Sequence, residues 1–366
     1  MAKKHSEESY YLASQWQLMG RKLVKHQLAR FSMYVLGILY FGAIFAGFFA
    51  PQGLTDYDSS SMNAAPTKIH LFDSEKKFHG PFVYGVKSGR DKETMRKIYI
   101  EDTSKIYKIR FFVKGDPYKI LGCIPGNLHL FQAEEGGHVF LMGTDSMGRD
   151  LFSRLILGSQ VSLSIPLVGA GISFVLGIIL GGISGYFGGF IDTAIQRLIE
   201  VITSFPSIPL WMALSAAIPA DIPIVRMYLY ITIIMSFISW TGLARIVRGK
   251  FMSLRKEDFV MAARLAGVSD AKIIITHLVP GFLSYLIVNL TLAIPQMIIG
   301  ETSMSFLGLG MRSPATSWGV LLQEAQNITN IAIYPWKLIP LFFVIITVLA
   351  FNFLGDGLRD AADPYK

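Results

Sequence analysis

Charge is scarce in this chain of 366 residues: Asp, Glu, Lys and Arg together make up 16% of it, while 52% is hydrophobic. A soluble globule carries nearer a quarter charged residues, so the shortage excludes an ordinary water-facing surface over much of the length. Cysteine is all but missing. Cys123 is the only one, so no internal disulfide can form and cysteine usage says nothing about compartment. Catalytic signatures are absent too. There is no HExxH and no GxSxG, and His70, His79, His129 and His138 lack metal-ligand spacing. The phosphate-cradling pattern GxxxxGK[ST] is approached only between Gly80 and Ser88, where Val86 displaces Lys87 by one position. The chain is therefore read as a non-enzyme that binds no cofactor or metal, and any nucleotide energy must come from another chain.

What the sequence has instead is long apolar runs, near 31–50, 161–187, 198–218, 228–244, 279–300 and 339–355. Each is about as long as the ~20 residues a helix needs to cross the hydrocarbon core. The first begins at Phe31, too late and too long for the apolar core of a secretory signal, and reads as an uncleaved anchor. The runs 161–187, 228–244, 279–300 and 339–355 hold no Asp, Glu, Lys or Arg, and Glu200 sits near the end of its run. Ion-coupled transporters keep ionisable groups inside their spans, so that class is disfavoured, although backbone carbonyls can also bind sodium.

Orientation follows from the basic segments. Residues 1–30 carry six Lys/Arg against two acids, and 245–280 carry seven against three. The positive-inside rule assigns both to the cytoplasm, so six spans place both termini inside. The segment 51–150 falls outside with 14 basic and 13 acidic residues, and segments of that length cross largely regardless of charge. The net charge of +8 is mostly a topology signal, and no nucleic-acid partner is expected.

The expected organisation is a cytoplasmic segment 1–30, an anchor 31–50, an extracytoplasmic insertion 51–150, a membrane core 151–358 with five further spans and a loop at 248–280, and a cytoplasmic tail 359–366. Inside the insertion, 97–100, 106–113 and 138–142 look like strands, punctuated by Gly115-Asp116, Gly122 and Gly136-Gly137. Gly177, Gly181, Gly185 and Gly189 recur every four residues and predict a bare ridge for close helix packing. Packing inside one bundle is preferred there over a dimer interface. Pro206 and Pro209 predict a kinked or broken helix, and with Phe205 they are candidates for a solute pathway. A purely structural kink is an equal alternative.

Between two spans, Glu257 to Asp270 suits a short helix. Glu257 and Asp258 favour its positive end, Ala262, Ala263 and Ala266 give it a slim face beside Arg264, and Gly267 can end it. A slim amphipathic helix can seat in a groove of another protein. Ala262-Ala263, Gly267 and Pro280 resemble the EAA loop of importer permeases of the ATP-binding cassette superfamily, with Met261 at the motif's usual glutamate.

Three further stretches resemble the dipeptide/oligopeptide permease family, specifically its C-type subunit. They are 143–150 with Asp145, Gly148, Arg149 and Asp150, continuing to Ser153-Arg154; 301–319 with Glu301, Ser305, Gly308 and Ser317-Trp318-Gly319; and 352–364 with Asp356, Arg359 and Asp360. The segment 51–140 is longer than that family leads one to expect. The resemblance implies an all-α integral membrane protein of six transmembrane helices, with a small α/β or β-rich insertion between the first two. It further implies a second homologous permease subunit, two cytoplasmic ATPases that hold ATP and Mg, an extracytoplasmic solute-binding protein, and the lipid of the cell inner membrane. The helix around Asp258–Gly267 would couple ATPase closure to access, and the solute would be a peptide. Related permeases also serve oligosaccharides or nickel complexes, which stand as the alternative.

Overall fold

The computed structural model describes residues 15–90, 92, 97–120, 122–219, 222–311 and 315–363. The start of the 1–30 segment and residues 364–366, including Pro364 of the last motif, lie outside the described residues.

A backbone in hydrocarbon must satisfy its own N–H and C=O groups, and the apolar runs fold accordingly. The helices are Gln15–Lys25 (α1), Gln27–Ile44 (α2), Leu151–Phe187 (α3), Gly189–Thr203 (α4), Ser207–Ala216 (α5), Ile224–Leu254 (α6), Asp258–Leu265 (α7), Leu283–Phe306 (α8) and Ile339–Ala362 (α9), with single helical turns between some of them. Five stretches are long and apolar enough to cross a membrane: α2, α3, α6, Asp270–Phe306, which contains α8, and Pro335–Ala362, which contains α9. The pair α4 and α5 makes a sixth if counted as one span, but its halves meet at 82°. The run 198–218 is thus a broken element. The break falls at Pro206, whose extended backbone (ψ 134°) precedes α5. Pro209 produces no kink, because it sits in the first turn of α5, where a backbone N–H has no intrahelical partner to lose.

Helix ends differ from the edges of the apolar runs for local reasons. α3 starts at Leu151, well before 161, because Asp150 caps it: Ser153 N donates to Asp150 Oδ2 at 2.8 Å. The ridge of glycines stops at Gly185. α3 ends at Phe187, and Gly188 (φ 70°) and Gly189 (φ 58°) turn the chain into α4, so Gly189 is off the ridge.

The insertion is β-rich. Strands His70–Phe72 (β1), Phe78–Arg90 (β2), Lys97–Ile120 (β3) and Ile124–Ala133 (β4) form an antiparallel meander in the order β1-β2-β3-β4. The expected strands at 97–100 and 106–113 are both parts of β3. Gly115-Asp116 does not end it; the chain passes through a register shift between Lys114 and Tyr118 and continues. Residues 138–142 are not a strand. Phe140 bonds Thr67, through its N to Oγ1 (3.1 Å) and its O from Thr67 N (2.8 Å), and its O also accepts from Gly143 N (3.3 Å) in a turn, while its neighbour Val139 joins Val83, Ile109 and Phe131 in the core under the sheet.

By internal contacts the chain divides into two compact units: 1–37 with 165–301 and 346–366, and 38–164 with 302–345. In the first, the glycine ridge lets α3 and α6 meet backbone to backbone. A Cβ on Gly181 would lie 2.4 Å from Ala244 O, and one on Gly185 would lie 2.5 Å from Arg248 O. In the second, the meander covers Val83, Ile109 and Phe131 against Phe152.

Candidate functional site

The first unit holds the predicted coupling helix. α7 is eight residues long and follows Glu257, whose extended backbone opens the helix while its side chain caps nothing. Val260 is fully buried and anchors α7 among Val247, Phe251, Ile273 and Leu278. The opposite side is bare: Phe259 is 46% exposed, Met261 48% and Leu265 89%. Glu257, Asp258, Ala262 and Arg264 are also exposed, and Ala263 is half-buried. The end of α7 is a Schellman turn. Val268 N donates to Ala263 O at 3.1 Å and Gly267 N to Arg264 O at 3.0 Å, with Gly267 at φ 76°. That conformation suits glycine.

α7 is tied to the end of α3 by polar contacts. Arg264 Nε donates to Tyr186 Oη at 3.2 Å, its guanidinium lies 4.9 Å above the Tyr186 ring, and Tyr186 Oη donates to Asp270 Oδ1 at 2.5 Å. Arg255 Nη1 donates to the carbonyls of Gly185 (3.1 Å) and Tyr186 (2.9 Å), capping the orphan acceptors of α3. Arg248 forks onto Asp192, Nε to Oδ1 at 2.5 Å and Nη2 to Oδ2 at 2.6 Å, and Ser184 Oγ donates to the same Oδ1. Asp192 and Tyr186 were missing from the sequence-based candidates, since their partners lie 56 and 84 residues away. An exposed apolar knob thus sits on a short helix that Val260 seats against α6 and Arg264 ties to the end of α3.

The second unit brings two of the family-like stretches together. Asp145 Oδ1 accepts from Met147 N (2.8 Å) and Arg149 N (3.0 Å), and Asp145 Oδ2 accepts from Arg149 Nε (2.6 Å) and Arg154 Nη1. Gly148 has φ 80°, and a Cβ there would lie 2.0 Å from Asp58 O. Asp150 is buried, and its Oδ1 has no hydrogen-bond partner. Burial therefore pushes its carboxyl up to about 6, against the pull of the Ser153 hydrogen bonds. Trp318 N donates to Ser162 Oγ (2.9 Å) and Trp318 Nε1 to Leu155 O (3.1 Å). Ser305 is buried against Gly319, where a Cβ would come within 2.7 Å of Ser305 Cβ, and its Oγ accepts from Met311 N at 3.2 Å. Gly308 has φ 79°. Glu324 and Lys337 were not foreseen. Lys337 Nζ pairs with Glu324 Oε2 at 2.7 Å, and Glu324 Oε1 accepts from Ser146 Oγ at 2.8 Å. These residues close a loop and seat a helix.

The remaining candidates are scattered. Glu301 is fully buried in α8. In α9, Gly355 and Gly357 pack against Leu292 and Ala29, whereas Asp356 and Arg359 are exposed and Asp360 lies 3.8 Å from His26 Nε2. Phe205, Pro206 and Pro209 are all exposed. Among the described residues no group of three or more His, Cys, Asp or Glu could hold a metal ion.

Comparison with known proteins adds the family signal. The model described as binding-protein-dependent transport system inner membrane component matches residues 174–365. The model described as N-terminal TM domain of oligopeptide transport permease C matches 14–66. The oligopeptide transport system permease protein OppC of Haemophilus influenzae is 42% identical over 231 residues, 63% of this chain and 71% of that one. OppC of Escherichia coli K12 is 41% identical over 63% and 73%, and the dipeptide transport system permease protein DppC of Bacillus subtilis is 38% identical over 61% and 68%. Among solved structures, the inward-facing MetNI methionine ABC transporter aligns with TM-score 0.44 at 19% identity, over 57% of this chain and 96% of that one.

Proposed function

Since the chain belongs to the binding-protein-dependent transport system inner membrane component family, we propose that it is the permease subunit of an ATP-driven importer of peptides. The observation that carries this reading is α7, whose exposed Phe259, Met261 and Leu265 stand on a helix pinned to α3. An apolar side this bare on so short a helix fits the groove of a partner.

In this reading α4 and α5 serve as one broken span, which gives six, with both termini and α7 on the cytoplasmic side and the β-meander outside. The basic residues of 1–30 and 245–280 support that orientation. A second, homologous permease subunit covers the exposed face around Phe205, Pro206 and Pro209, and the solute passes between the two. Two cytoplasmic ATPases hold ATP and Mg and seat α7, and an extracytoplasmic binding protein delivers the peptide. Mechanically, closure of the ATPases pushes α7. Arg264 and Arg255 pass the movement to the end of α3, and the glycine contact carries it to α6. Irregular backbone within a membrane is tolerated where it lines a cavity, which suits the break at Pro206 to a solute route. Peptide is the assigned cargo because the curated relatives are oligopeptide and dipeptide permeases.

Affinity purification of this chain from mildly solubilised native membranes tests the proposal. Two ATPase subunits and a second permease are expected with it; a chain that purifies alone and transports solute without ATP refutes it.

A further inference from the structure

The β2–β3 ribbon borders a cavity of about 730 Å³, within the ~300–1,000 Å³ of sites that take small organic ligands. Apart from the loop that ends at 68, its walls lie in the stretch between the two matched regions, which end at 66 and resume at 174. Its walls are the loop 58–68, β2 at 84–87, β3 at 99–107 and the loop 136–140. Register shapes it. Tyr84 pairs with Ile106 but Gly85 with Asp102, so residues 103–105 bulge from β3. Lys105 is carried across Gly85, where an added Cβ would lie 3.2 Å from Lys105 Cβ.

The charges of the cavity are unevenly engaged. Asp58 accepts from Ser60 Oγ at 2.6 Å and Ser61 Oγ at 2.5 Å, with His138 Nε2 at 3.9 Å. Glu101 lies 3.3 Å from His70 Nε2. Asp102 pairs with Lys87 Nζ at 2.8 Å and accepts from Ser104 Oγ at 2.6 Å. Every acid on the lining thus has a partner. Of the lysines, Lys87 is engaged, whereas Lys68 and Lys105 are exposed and have no ion pair or hydrogen bond among the described residues. The unspent charge of the cavity is positive, next to the rings of Tyr99 and Tyr107.

We propose that this cavity binds a short peptide through its terminal carboxylate, held by Lys68 and Lys105 with the peptide body along Tyr99 and Tyr107. A di- or tripeptide fits the volume, and ammonium groups suit a carboxylate as point-charge donors. The choice of peptide over another carboxylate rests on the import reading above; the anion site itself does not. The site gives the meander a role, that of receiving or retaining solute outside the helices.

The test uses the full chain in nanodiscs, titrated calorimetrically with tri-alanine, its C-terminal amide and succinate. Tri-alanine is expected to bind, with the amide about tenfold weaker. The double variant Lys68→Gln/Lys105→Gln is expected to weaken tri-alanine by at least that factor while its thermal unfolding stays that of the parent. Equal binding of acid and amide, parental affinity in the double variant, or no binding at millimolar peptide overturns the site. Succinate binding as tightly as tri-alanine overturns the peptide assignment. The assay needs no ATPase, so a chain that co-purifies with its partners but does not bind peptide refutes this site and leaves the import reading standing.

Discussion

Asp150 shows how one buried carboxyl sets a measurable property. Its burial, with a smaller push from the Asp145 charge, raises it from the ordinary aspartate value of 3.8 to about 6. The folded state therefore holds this proton more tightly than the unfolded one. The stability it confers is fully present below 3.8 and is lost as pH rises through about 6. Thermal unfolding in detergent should fall by a few degrees between pH 4 and pH 7 from this group, and Asp150→Asn, which still caps α3, should flatten that part of the profile. Asp145 behaves differently. It accepts from two arginines, and Arg154 is buried with it, so Asp145→Ala strands a buried charge and should cost about 3–5 kcal/mol, read as a large drop in unfolding temperature. At Gly267 no atom crowds an added Cβ, and only φ 76° resists it. Gly267→Asn should keep ATP hydrolysis coupled to uptake. In the assembled importer Gly267→Val, strained by about 1–2 kcal/mol, should leave ATP hydrolysis by the ATPases in place while uptake falls.

Elements were legible where a periodic signal was strong. The apolar runs marked the spanning helices, and the four-residue spacing of Gly177, Gly181 and Gly185 marked a packing face that does meet α6. Gly181→Leu should therefore overpack that contact by about 1–3 kcal/mol and lower the unfolding temperature; an unchanged temperature would show the two helices apart. Periodicity could not place the end of α3, because Gly189 continues the spacing while the positive φ of Gly188 and Gly189 ends the helix. Nor could it separate Pro206, which breaks the span, from Pro209, which is absorbed in a first turn. In the meander, Gly115 looked like a turn because glycine favours both turns and bulges, and here the bulge won. Residues 138–142 form an apolar run like that of a strand, but Phe140 pairs across only with Thr67, and no ladder forms.

For the whole molecule, composition alone separated membrane from water, and ordered motifs gave the family. Asp145, Gly148 and Ser305 make internal contacts inside one unit, and the partners Trp318 and Glu324 reach α3 and the loop before it only across more than 150 positions. The helix α7 was legible because its signals are local to Glu257–Gly267. Its tether to Tyr186 was not, since only folding brings Arg264 to that ring. The central claim is that this chain moves solute only when α7 is driven by an ATPase. Uptake of radiolabelled peptide into proteoliposomes tests it most directly, comparing this chain alone with the complex purified through it. The account predicts uptake by the complex that needs ATP and a binding protein, and none by the chain alone. ATP-independent uptake by the chain alone would contradict it.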